Sequence, residues 1–128
     1  MISNFTELLN AAHEQDQPQR LLFLFAKAEA EGKGKKAQRG TLSPLMCVDK
    51  LPEEIESFAA LAKEADGISK DWDFVFVVGL SGANGKAPSS DDAAPYLNKM
   101  TNDLVTGQSI AQYAVFDRNE NPVALQAS

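Results

Sequence analysis

The side chains of this chain that can act as nucleophiles, acids or ligands are few, and one glycine-rich stretch carries most of the interest. From Gly79 to Ala87 the sequence reads G-L-S-G-A-N-G-K-A, behind the apolar run Phe74 to Val78 and ahead of a helix start at Ser89 to Asp92. Glycines and a lysine after a buried strand are the ingredients of a phosphate cradle, in which backbone N–H groups and one ammonium hold an anion. A true P-loop needs Gly, four residues, Gly-Lys and then a hydroxyl residue. Counted back from Gly85, the first glycine position holds Leu80; the hydroxyl position holds Ala87, and Pro88 keeps a helix from opening at the lysine. What remains is a loop with one cation, whose candidate ligand contacts are Ser81, Gly82, Asn84, Gly85, Lys86, Ser90 and Asp92. A small anion is the ligand this set suits. The same residues also make a plain capped loop, because Asp91 and Asp92 already occupy the positive end of the helix and Ser89 with Asp92 fits a capping box.

Other chemistry is sparse. Cys47 and His13 are the single cysteine and the single histidine. Cys47 falls inside a strand, where an isolated cysteine reads as a small buried hydrophobe, and His13 falls near a helix end. With one of each, a metal site would have to be built from carboxylates, and Asp91 and Asp92 are adjacent rather than arranged around a point. No metal or cofactor is expected. Lys27, Lys33, Lys35, Lys36 and Arg39 stand against Glu29 and Glu31, a basic island without interleaved aromatics that reads as a solvated loop. Trp72, between Asp71 and Asp73, is either a contact residue or a cover for the core edge.

The elements that position these groups follow from apolar spacing. Ser3 caps a first helix with Phe5, Leu8, Leu9 and Ala12 on one stripe, ending near Gln15 before Pro18. Arg20 to Ala28 reads RLLFLFAKA, apolar at consecutive positions, as in a central strand covered on both faces. Glu29 to Thr41 is rich in glycine and charge and reads as a mobile loop. Leu45 to Val48 is a short second strand. LPEEIESFAALAKEADG then predicts a second helix opening at Pro52, with Ile55, Phe58, Ala59 and Ala62 inward and Gly67 as its stop. Phe74 to Val78 is a buried third strand. A third helix carries Tyr96, Leu97, Met100 and Leu104, with Pro95 in its first turn and Gly107 at its end. Ile110 to Phe116 and Pro122 to Leu125 close the chain as a hairpin around the turn formers DRNEN.

The order α-β-β-α-β-α-β-β predicts an α/β or α+β fold, one domain over 1–128 with about five strands in a mixed sheet. A parallel crossover from the second strand to the third would bring Asp49 and Lys50 together with Gly79 to Asp92 at the carboxyl edge, where open sheets bind ligands. Asp49 and Lys50 therefore join the candidate set.

Composition bounds the partners. The chain has 128 residues, 44% hydrophobic and 23% charged, the profile of a globular domain. Its formal charge of −6 argues against nucleic acid and anionic membranes as partners. The opening MISNFTELLNAAHEQD has no basic leader followed by a long apolar core, no run approaches the roughly 18 apolar residues of a membrane span, and one cysteine suits a reducing compartment. The expected location is the cytoplasm.

The runs PQRLLFLFAKAE, LSPLMCVDKLPEE and DWDFVFVVGLSGANGKAPSSDDA resemble a family of small proteobacterial proteins often given the name ribonucleotide reductase subunit alpha. The resemblance covers most of the chain and implies a bacterial source. It brings no mechanism: ribonucleotide reduction needs a radical-bearing cysteine and a redox-active pair, which Cys47 alone does not supply. The expectation is a non-enzymatic binding or interaction module for a small anion or a protein, with self-association through the terminal hairpin as one route. The alternative is a nucleotide- or anion-binding enzyme working through loop 79–92.

Overall fold

A computed structural model describes residues 5–29, 41–106 and 113–123. Among the described residues three helices and four strands follow in the order α1 (Phe5–His13), β1 (Gln19–Glu29), β2 (Thr41–Lys50), α2 (Phe58–Asp66), β3 (Phe74–Ser81), α3 (Ser90–Thr106) and β4 (Ala114–Asp117). The strands form one sheet in the order β2-β1-β3-β4, and each neighbouring pair is antiparallel. The fold is α+β.

β1 is central for the reason its sequence gives. Leu21 to Ala26 are all buried, with alternate side chains entering two different cores. Leu21, Phe23 and Phe25 meet Phe5 and Leu8 of α1, Phe58, Leu61 and Ala65 of α2, and Val75, Val77 and Phe116 of the sheet. Leu22, Leu24 and Ala26 meet Ala93, Leu97, Met100 and Leu104 of α3, with Phe76 and Val115. Two helices therefore cover one face and α3 the other. Phe5 ties the first layer together, its ring 5.3 Å from Phe58 and 5.7 Å from Phe116, both edge-on.

Several expectations need correcting. The sheet is antiparallel rather than mixed, because β1 lies between β2 and β3; the crossover through α2 joins strands that point the same way but are not neighbours. The terminal hairpin is present as its turn: Asp117 N–H donates to Asn121 O at 3.0 Å, and Phe116 bridges to Pro122. Residues 107–112 and 124–128, with Gly107, the start of the fourth expected strand and the end of the fifth, lie outside the described residues. So do Ser3 and the loop 30–40; the flanking strands pair as far as Glu29 with Thr41.

The second helix starts later than Pro52. Pro52–Glu54 is a single 3₁₀ turn, and α2 opens at Phe58 behind Ser57, whose Oγ accepts the Ala60 N–H at 3.0 Å. That shift rotates the inward face to Phe58, Leu61 and Ala65, and leaves Ala59 exposed. In α3 the cap at Ser89 puts Pro95 in the second turn rather than the first, and Tyr96 is half exposed rather than inward.

Trp72 is a core residue. It is fully buried, its ring 5.0 Å from Phe25, and its indole N–H donates to Asp66 Oδ1 at 3.0 Å. Arg118 lies 4.3 Å over the ring and reaches both Asp66 oxygens at 2.9 Å. The hydrogen bond from Arg118, then that from Trp72, holds the Asp66 carboxyl below its ordinary value. Cys47, expected inside, is exposed: it lies opposite Leu24 but one strand further out, on the edge strand β2. Among the described residues no helix is long and apolar enough to cross a membrane.

Candidate functional site

β2 and β3 both run toward the same end of the sheet, so their last residues flank the start of β1. In the register, Asp49 lies opposite Leu22 and Lys50 opposite Leu21, while Val78 and Gly79 lie opposite the same two residues on the other side. β2 and β3 therefore end at the same carboxyl edge of the sheet with β1 between them, and the candidates that touch there are Asp49 and Ser90.

Strand alternation then divides the candidates. Asp49 shares the face of Leu22 and points into the α3 layer; Lys50 shares the face of Leu21 and points toward α2, where its Nζ lies 3.0 Å from Glu64 Oε1. Lys50 is thus removed from the set. Two donors engage one oxygen of Asp49: Arg20 Nη1 at 2.5 Å and Ser90 Oγ at 2.6 Å, both to Oδ2. Arg20 also donates through Nε to the Pro88 carbonyl at 2.5 Å. The side chains of Arg20 and Asp49 are only 14% and 18% exposed, so each charge depends on the other. This network ties β1, β2 and the start of α3 into one corner.

Arg20 is the residue that the sequence reading missed. It stands at the head of an otherwise apolar strand, and an antiparallel partner brings the end of β2 diagonally across from it on the same face. The charge at the mouth of RLLFLF was the available signal.

The glycine loop is a tight hairpin. Asn84 and Gly85 have φ of 56° and 77°, and Ala83 and Lys86 exchange N–H···O bonds of 3.1 and 3.0 Å around them, the geometry that Asn-Gly favours. Gly82 is required by proximity, since a Cβ there would stand 1.9 Å from the Lys86 carbonyl oxygen. Its amides already have acceptors: Gly82 N–H donates to Pro18 O at 2.8 Å and Gly85 N–H to the Gln17 side chain at 2.9 Å. At the helix start, Ser89 N–H donates to Asp92 Oδ2 at 3.1 Å and Asp92 N–H to Ser89 Oγ at 3.0 Å, the reciprocal capping box.

The structure therefore brings Asp49 and Ser90 into contact and spends Gly82, Gly85, Lys86 and Asp92 on folding the backbone. Ser81, Lys86 and Asp92 line an open recess of about 490 Å³ beside Tyr96, and Asp49 is not part of that lining. Lys86 is exposed, and among the described residues its ammonium makes no ion pair. Among the described residues no three His, Cys, Asp or Glu side chains converge as a metal ion would require.

Two other carboxylates are held as counter-charges rather than as acids. The Lys99 ammonium, 2.8 Å away, and the Tyr113 hydroxyl, 2.6 Å away, keep Asp103 below its ordinary value. Burial, reinforced by Asp103, pushes the Tyr113 phenol up to about 12. Asp117 is lowered by the backbone N–H groups of Asn121 and Asn119, which it gathers across the terminal turn. No protein-family model, curated protein or solved structure matches the chain.

Proposed function

We propose that this chain is a non-enzymatic binding module whose polar carboxyl edge is a structural joint rather than a reaction centre. The observation that carries the reading is the engagement of Asp49 Oδ2, which accepts from Arg20 and Ser90 while the Arg20 guanidinium is further anchored to the Pro88 carbonyl. A general base or metal ligand needs lone pairs turned toward a substrate, and an anion cradle needs free amides. At this corner Asp49 Oδ2 is taken by two donors, and the Gly82 and Gly85 amides already have acceptors. The reading extends to location: an exposed lone thiol suits the reducing cytoplasm, where it stays unpaired.

Turnover assays with phosphoesters, thioesters and nucleotides test the proposal, and no catalysis is the expected result. Reproducible catalysis that disappears in Asp49→Asn or Lys86→Ala would overturn it. The rival anion reading uses the recess at Lys86. Amide NMR shifts over 79–92 on adding ATP, GTP or deoxynucleotides at millimolar concentration would favour that rival; unshifted signals are expected.

A further inference from the structure

β2 lies at the edge of the sheet, and among the described residues no strand pairs with its outer side. The opposite edge is different: residues 121–123 fold back on β4, with Val123 N–H donating to Val115 O at 2.9 Å. Long open edges are usually blunted, and the first half of β2 is, by Pro44 and the register shift opposite Phe25 and Ala26. The second half, Met46 to Asp49, keeps regular pairing on its inner side and offers its outer N–H and C=O groups.

A groove runs beside that half. Met46 and Val48 form one wall and Leu61, Ala65 and Ile68 the other, over Phe25. Its apolar pocket of about 60 Å³ suits one aliphatic side chain and falls well short of the roughly 300 Å³ at which small-molecule sites begin. Ile68 is 74% exposed, yet its N–H donates to Ala65 O at 2.9 Å, so it is fixed at the end of α2. The groove continues into a polar recess lined by Glu54, Glu56 and Glu64 against Lys50 alone.

From these features we infer that the open half of β2 is a strand-addition site for an extended segment of another protein that carries, on one face, an aliphatic residue and then a lysine or arginine two positions along. The inference rests on the binding-module reading and supplies its partner. Main-chain pairing to Met46 through Asp49 supplies affinity, an aliphatic side chain enters the groove between β2 and α2, and a cationic residue on the same face meets the carboxylates beyond it. A second copy of the chain fits poorly, because it would bring a formal charge of −6 toward another −6 and set its own acidic recess near this one.

The test uses the full chain and a short synthetic peptide that carries valine and arginine two positions apart on one strand face, with threonine on the other. Cys47, exposed in the middle of the edge, reports occupancy through its alkylation rate, and amide NMR reports the contact residues. The expected result is slower alkylation and shifted Met46 to Asp49 amides. Binding should weaken about tenfold or more when glutamate replaces arginine in the peptide, when the peptide amides on one edge are N-methylated, and in Ile68→Lys. Equal binding by the N-methylated peptide, unmoved Met46 to Asp49 amides, or shifts confined to 79–92 would overturn the inference. So would protection of Cys47 with rising protein concentration alone, which identifies a second copy as the occupant. Turnover dependent on Asp49 or Lys86 would instead overturn the binding-module reading, and leaves peptide docking measurable, so the two fail separately.

Discussion

At the carboxyl end of β2, Asp49 turns inward and finds Arg20 and Ser90, whereas Met46 to Val48, a few residues earlier, present an outer edge to solvent beside an apolar groove. The polar corner has the residue types of a reaction centre but spends them on itself. The apolar groove has no residue type that sequence inspection would single out, yet it has unspent backbone groups and unspent apolar surface. Functional promise in a chain of this kind is measured by what remains unsatisfied after folding, and not by which reactive residues are present.

Ways to break this contrast can be ranked by their expected cost. Gly82→Ala should be the most damaging, by about 3 kcal/mol or more, because the new Cβ falls on the Lys86 carbonyl and the hairpin must open; chemical denaturation measures it, and a near-neutral result would mean that the loop is loose enough to cradle a ligand. Asp49→Ala should cost about 2 kcal/mol, since it leaves the largely covered Arg20 guanidinium without its anion. A double-mutant cycle with Arg20→Ala should then recover much of that loss as coupling energy. If Asp49→Ala is instead stabilising, the carboxylate is strained in a way typical of functional sites, and the corner is no mere joint. Ser90→Ala removes one donor to Asp49 and should cost about 1 kcal/mol in the same assay.

Acid sharpens the comparison in a different manner. Asp66, Asp103 and Asp117 all have native values held below the ordinary 3.8 by hydrogen bonds. Between the two values the unfolded chain binds more protons than the native one, so stability rises with pH there. The contribution is complete above about 3.8 and is lost as pH falls through the depressed native values. Tyr113 works in the other sense: its native value near 12 exceeds the unfolded value of 10, so its contribution is complete below 10 and fades as pH climbs toward 12. Thermal melts across pH, with Asp117→Asn flattening part of the acid limb, check both signs. The smallest effect on stability should come from Ile68→Lys, within about 0.5 kcal/mol at a 74% exposed position. The same substitution is the one expected to impair docking on β2. Loss of folding in this variant would show that Ile68 supports the core instead.

Much of the framework was legible from spacing. The consecutive apolar residues of β1 announced a strand covered on both faces, and the Ser89 and Asp92 pair announced the helix start that the reciprocal hydrogen bonds display. Other features were overread or missed. The run from Pro52 looked like one helix because Pro and two glutamates suit a first turn, while the stronger cap at Ser57 was passed over. Asn84-Gly85 is the strongest short hairpin signal in the chain, yet the neighbouring Gly-Lys draws the comparison to a P-loop, and once the spacing fails that test the sequence leaves a plain capped loop beside an anion loop. Trp72 stays open between a contact residue and a cover for the core edge when Asp71 and Asp73 flank it in sequence; the structure buries it, and Asp73 is taken by the Ala28 N–H at 2.8 Å.

The sequence by itself determined the local elements and the two apolar faces of β1, because helix and strand periods, caps and turn residues act within a few positions along the chain. It also determined that no cysteine pair and no P-loop is present. Only the tertiary structure decided that β1 lies between β2 and β3, that Lys50 and Asp49 part to opposite faces, that Arg20 neutralises Asp49, and that one half of β2 is left open. Those outcomes depend on which strands become neighbours and in what register, and a shift of one residue would exchange the faces of Asp49 and Lys50 without altering a single local preference.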